Sequence, residues 1–125
     1  MIKTLWVALG GSMGAVARYG ISLLMSRLGW EFPLATLLVN LGGCLIIGMV
    51  AGLVRQSVAV PPEFRLLLVT GFCGAFTTMS SFIYEFEALM RDGEVLSAVG
   101  YFCLTLIGCW VFFLIGYGGI KLLIK

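Results

Sequence analysis

The residues with the most chemical character crowd into one stretch, Val69 to Phe82, with the sequence VTGFCGAFTTMSSF. Thr70, Thr77, Thr78, Ser80 and Ser81 each bring a hydroxyl that both donates and accepts, and Gly71 and Gly74 permit unusual backbone paths. The stretch nevertheless lies inside an apolar segment long enough to cross a bilayer. Hydrocarbon offers no water to a free backbone group, so a helix interrupted here must be buried in protein or line an aqueous cavity. At such breaks in transporters, freed carbonyls and helix ends coordinate ions. Ion coordination is therefore the chemistry expected at the centre of this chain.

Other polar residues stand out against the same apolar background. Asn40 follows Thr36 by four residues, so both fall on one helix face. An amide in hydrocarbon needs a partner, and Asn40 serves either as cross-helix glue or as an ion ligand. Arg18 is the one charge in the first apolar run. An intramembrane arginine marks a functional site by default, but one near a helix end also snorkels to the interface and anchors it. Tyr101, Thr105 and Cys109 recur every four residues and align along one face. Glu85 and Glu87 precede the polar turn Arg91-Asp92-Gly93-Glu94, where an interfacial position is inexpensive. Phe72, Phe76, Met79, Phe82 and Phe86 form an apolar stripe at helical spacing, which ordinarily means packing.

Composition says what must carry these residues. Of 125 residues, 61% are hydrophobic and 11% charged, against roughly a quarter charged in a soluble domain; the mean hydropathy is +1.10. The chain reads as an all-α integral membrane protein. At about 20 residues per crossing it holds four spans, expected near residues 4–24, 34–54, 64–90 and 95–120, with short loops and no added soluble domain. Lys3, an apolar run and Ala15-Val16-Ala17 imitate a signal peptide, but the stretch is expected to stay as the first span. Gly10-Gly-Ser-Met-Gly14 and Gly48-Met-Val-Ala-Gly52 carry the small-xxx-small spacing that lets helices approach closely. Trp30, in the loop of Arg27, Gly29, Glu31 and Pro33, suits the headgroup belt. Pro61-Pro62 stops one helix and starts the next. The third span is longer than a bilayer requires, which fits a helix broken near its middle.

Some functions lack their residues. The net charge of +2 is dispersed, with no basic run for nucleic acid. There is no histidine, and Cys44, Cys73, Cys103 and Cys109 form no Cys-x-x-Cys pair, so they read as small buried residues rather than a zinc site. Acid–base or metal catalysis by a membrane enzyme has no mid-membrane cluster to work with. Four spans put both termini and the second loop on one side. That side carries Lys3, Arg55, Arg65, Lys121 and Lys125 against Arg27 and Arg91 on the other. The excess favours cytoplasmic termini, yet it is modest enough to leave both orientations open. Four thin helices enclose a polar site poorly, so an oligomer is expected, most simply a dimer.

Three pieces, taken in order, carry a resemblance across the whole chain: GGSMGAVARY in span one, TLLVNLGG in span two and TGFCGAFTTMSSF in span three. Together they resemble the Fluc (CrcB) family of small bacterial fluoride channels. That resemblance implies a fluoride channel of the bacterial cytoplasmic membrane, built as an antiparallel, dual-topology homodimer with two pores. It also implies a structural sodium ion at the dimer centre, held by backbone carbonyls of Gly74 and Thr77 in the broken third helix. For the fluoride path it implies Asn40 and Thr36, the two pore-facing aromatic positions at Met79 and Phe82, and a polar track. The track comprises Ser80, Ser81, Tyr101 and Thr105, with Cys109 beyond and Glu85 near one end. Methionine at position 79 departs from the family's phenylalanine and offers no electropositive ring edge to an anion; Phe82 keeps one. Two other classes compete. A small multidrug antiporter has similar size but relies on an acid in its first span, where this chain has Arg18. A non-conducting subunit paired with an unlike chain is the other, and Met79 is the feature that favours it.

Overall fold

The computed structural model describes residues 1–30 and 32–124; Glu31 of the first loop and Lys125, counted above among the charges, lie outside the described residues. The described chain is all-helical, and four helical segments are long and apolar enough to cross a membrane: Ile2–Arg27, Leu34–Arg55, Pro62–Arg91 and Val95–Leu123. The first two are α1 (Ile2–Arg27) and α2 (Leu34–Arg55), and the last is α6 (Val95–Leu123). The third segment is composite. It starts as α3 (Pro62–Arg65), widens into a π-helical stretch Leu66–Cys73, tightens to α4 (Gly74–Phe76) and ends as α5 (Met79–Arg91).

The helix ends follow from local chemistry. Pro61 is extended, and Pro62 opens α3 with a φ already suited to a helix and no N–H to strand. Gly93, at φ +78°, closes α5: Glu94 N–H reaches back to Leu89 O at 2.9 Å and Gly93 N–H to Met90 O at 3.2 Å. Left-handed backbone at that point costs glycine little. The chain then reverses directly into α6.

Two close-packed pairs hold the spans together. α1 lies on the π-helical stretch, where the backbone at Gly10 meets Leu67 O and that at Gly14 meets Phe72 O. From the other side, a Cβ on Gly71 would sit 2.6 Å from Val7 O. α2 lies on α6 in the same way, with Gly48 against Phe113 O, Gly116 against Leu45 O, and Gly52 against Ile120. Both small-xxx-small runs therefore serve as helix seams, where lipid supplies no hydrophobic drive and backbone approach must provide the contact. The buried core is compact and aromatic: Leu37, Phe82 and Tyr101, with Phe32, Leu34, Leu41 and Leu89 packed round it. Tyr101 packs edge-on to Phe32 at 5.4 Å and against Phe82 at 5.0 Å.

The π-helical stretch has no counterpart in the sequence reading. Nor does the aromatic stripe run unbroken along one face. Phe72 stacks on Phe76 at 5.2 Å on one side of residues 77–78, and Phe82 pairs with Phe86 at 6.5 Å on the other. Met79, the first residue of the resumed helix, is 61% exposed.

A side chain at Gly14 has to displace the Phe72 carbonyl, so Gly14→Leu is expected to destabilise the protein by about 1–3 kcal/mol, as overpacking does. Gly100 of α6 meets nothing within 4 Å, so Gly100→Ala should be neutral or stabilising by up to about 1 kcal/mol. Thermal unfolding of both variants in detergent, followed by circular dichroism, checks the pair.

Candidate functional site

The site is built where α4 stops. Thr77 (φ −78°, ψ 156°) and Thr78 (φ −152°, ψ 111°) are extended, and α5 resumes at Met79. Two extended residues release backbone groups that a continuous helix would pair. Asn40 of α2 captures one residue's worth: its Oδ1 accepts Thr78 N–H at 2.7 Å and its Nδ2 donates to Thr78 O at 3.2 Å. The amide thus mimics a strand partner for a single buried residue. The Thr78 side chain does the remaining work. Its Oγ1 accepts Ser81 N–H at 3.2 Å, capping α5, donates to Ser81 Oγ at 3.0 Å and lies 3.3 Å from Ser80 Oγ. Asn40 and Thr78 are both buried, at 7% exposure each, so each bond is made in a medium where its loss is costly.

The same bonds free two carbonyls. Helical order would send Thr78 N–H to Gly74 O and Ser81 N–H to Thr77 O, but Asn40 Oδ1 and Thr78 Oγ1 have taken those donors. Thr77 itself is still anchored to the helix before it, its N–H and Oγ1 both donating to Cys73 O at 3.0 and 2.9 Å. Gly74 is exposed and Thr77 half-buried. Two neutral, hard oxygen donors of this kind suit a hard cation.

One turn along α5 sits a second polar knot. Glu85 accepts Thr36 Oγ1–H from α2 at 2.7 Å and Tyr101 O–H from α6 at 2.8 Å, one on each carboxylate oxygen. A half-buried carboxylate therefore ties three spans at one level, and it uses the only proton that each hydroxyl owns. Thr36 and Tyr101 are buried, the latter at 0% exposure. Deeper on α6, Thr105 is buried with its hydroxyl oxygen unpaired. Cys109, one turn further, lies beside Cys44 of α2 and is half-buried.

Arg18 enters from α1. It lines a cavity of about 250 Å³ together with Ala15, Tyr19, Ser22, Thr36, Val39, Thr78, Ser81 and Glu85. The structure thus gathers Arg18, Thr36, Ser81 and Glu85 round one space, with Asn40 just behind it through Thr78. Arg18 and Glu85 share this wall without a direct ion pair; among the described residues the one ion pair is the exposed Glu87–Arg91 contact at 3.8 Å. Phe82 and Tyr101 share the buried core, while Met79, Ser80 and Gly74 face outward from the single chain. Thr78 was not among the candidate ion-path residues, although it carries more of the site's bonds than any of them. The signal lay in its place two residues before Ser80-Ser81, where a threonine opens an apolar helix as an N-cap.

This is a multi-pass helical membrane protein whose polar groups converge at the start of one helix rather than at a catalytic cluster. The comparison with known proteins places it more closely. Residues 5–117 match the family model described as CrcB-like protein, Camphor Resistance (CrcB). A protein of Prosthecochloris aestuarii named fluoride-specific ion channel FluC is 48% identical over 112 residues, covering 90% of this chain and 88% of the relative. One of Methylobacillus flagellatus with the same name is 41% identical over 124 residues, covering 98% and 97%. Another, from Acidobacterium capsulatum, is 38% identical over 92% of this chain and 96% of the relative. The chain belongs to the CrcB family.

Removing the Asn40 amide leaves Thr78 N–H and O unpaired in a buried place, so Asn40→Ala is expected to cost about 2–4 kcal/mol. Glu85→Gln keeps one good acceptor and should cost only about 1 kcal/mol. The comparison of their melting curves with that of Gly100→Ala checks the ranking.

Proposed function

We propose that the chain forms a fluoride-selective channel of the bacterial cytoplasmic membrane, not an enzyme, and lets fluoride leave the cytoplasm down its electrochemical gradient. The observation that carries this reading is the Asn40–Thr78 clasp, since it sets a buried amide at a helix break and still leaves one Asn40 N–H uncommitted. The relatives, named as fluoride-specific channels, supply the anion. Fluoride is small and tightly hydrated, so a path for it must offer donors as water leaves. Asn40 offers an N–H, the unpaired Thr105 hydroxyl a second donor, and Ser80 and Ser81 more. The edge of the Phe82 ring offers a weak positive rim. Thr36 and Tyr101 differ, because an anion passing them competes with the Glu85 carboxylate for their protons. Arg18, on the cavity wall, draws anions towards that point.

The working unit in this reading is an antiparallel, dual-topology homodimer. Gly74, Met79 and Ser80 are exposed on the lone chain at the level of the interruption. Polar backbone and hydroxyls there would face lipid, which is costly, and a second chain removes the cost. The third span is then broken within the membrane, and the Gly74 and Thr77 carbonyls of both chains meet at the dimer centre. A sodium ion held there supplies a fixed positive charge and joins the chains; it is structural and not transported. Hydrogen fluoride enters cells as a neutral acid and dissociates, so a passive anion path suffices for export.

A second reading rests on Met79. A thioether where the family usually has a phenyl ring fits a non-conducting subunit paired with an unlike chain.

Purified protein in liposomes, monitored with a fluoride electrode and a chloride control, should release fluoride and retain chloride. No fluoride release from a folded dimer would favour the paired-subunit reading, and co-purification of a second, similar chain would establish it. Met79→Phe should preserve or raise the flux, and a clear fall at equal folding would count against the pore assignment. Thr105→Val, which removes a buried donor, should lower it by about tenfold or more.

A further inference from the structure

An open groove of about 730 Å³ lies at the other end of the molecule, between α2, the start of the third span and α6. Its floor is apolar: Ile47, Val50, Ala51, Val54, Leu66 and Val69. Its mouth is cationic. Lys3 comes from the first turn of α1, Arg55 from the last residue of α2 and Arg65 from the end of α3, so three separate elements bring a positive charge to one rim. Among the described residues no carboxylate lines the groove. Glu63, the acid of α3, is exposed and forms no ion pair with Arg55 or Arg65 among the described residues. Tyr117 and Thr70 add hydroxyls to the wall.

We propose that this groove binds an anionic phospholipid, its phosphate held by Lys3, Arg55 and Arg65 and an acyl chain laid along the Ile47–Val54 face of α2. Two independent features argue for it. Three like charges that converge with no acid among the described lining residues repel one another until an anion joins them. Their depth also fits a lipid, because α1 begins, α2 ends and α3 begins at this one end, which puts the cations at headgroup level and the apolar floor below them. A free phosphate would satisfy the rim and leave the floor empty. The site shares no residue with the ion path and does not depend on the fluoride reading.

The test uses the full-length protein in lipid nanodiscs made with either phosphatidylglycerol or phosphatidylcholine, followed by native mass spectrometry to count retained lipids. The wild type should retain phosphatidylglycerol in preference to phosphatidylcholine. Each removed cation weakens the attraction about fivefold, so the Arg55→Gln/Arg65→Gln variant should lose retention on the order of 25-fold. Ala51→Trp keeps every charge but fills the floor, and it should also lose retention. Should the double variant fail to fold, Lys3→Gln and Ala51→Trp still decide the matter. Equal retention of the two lipids by the wild type, or undiminished phosphatidylglycerol in the folded variants, overturns the proposal. So does efficient cross-linking of Val54→Cys to a second copy, which would make the groove a protein interface.

Discussion

The polar centre of this protein answers to one constraint: a backbone group in hydrocarbon has to find a partner inside the protein. Helices meet that demand by themselves, and most of the chain is helical for this reason. The demand becomes acute at Thr77 and Thr78, where the backbone is extended. The Asn40 side chain resolves it by pairing with both backbone groups of Thr78. Without that amide the interruption would leave buried orphans, and without the interruption Asn40 would itself be an orphan inside α2. Each makes the other tolerable.

Polarity in the rest of the site is then organised outward from that pair. Because Thr78 uses its hydroxyl to cap α5, the helix restarts with Ser80 and Ser81 beside it and brings Glu85 round to α2 and α6. Glu85 meets Thr36 and Tyr101 at once, so one carboxylate sets the spacing of three helices. Thr105 is the exception, a buried hydroxyl oxygen without a partner. Buried polar groups are ordinarily paired, so Thr105 stands apart from the rest of the site.

The seams that hold the scaffold are apolar and rely on shape instead. Gly10, Gly14 and Gly71 let α1 touch the widened π-helical stretch, and Gly48 with Gly116 lets α2 touch α6. In a bilayer this is the economical way to join helices, since burying leucine against lipid or against protein differs little in energy. Bulkier side chains are consequently turned outward along α6, where Leu96, Ile107, Trp110 and Ile115 are all exposed.

Much of this was legible from residues alone. Composition excluded a soluble protein, apolar run lengths counted four spans, and glycine spacing located both helix seams, because each signal depends on chemistry that does not change with context. The density of hydroxyls and glycines at 69–82 likewise pointed to the stretch that holds the extended residues Thr77 and Thr78, since polar groups in hydrocarbon are too costly to be incidental. Partnerships are another matter. That Asn40 binds Thr78, that Glu85 binds both Thr36 and Tyr101, and that Phe82 is buried while Met79 is exposed rest on contacts between residues up to 49 apart in sequence. The π-helical stretch was equally hidden, because no residue type demands it and only the fit against α1 does. Sequence determined which groups cannot be left alone in a membrane; tertiary structure decided which of them meet, because a hydrogen bond is settled by distances that the folded chain alone supplies.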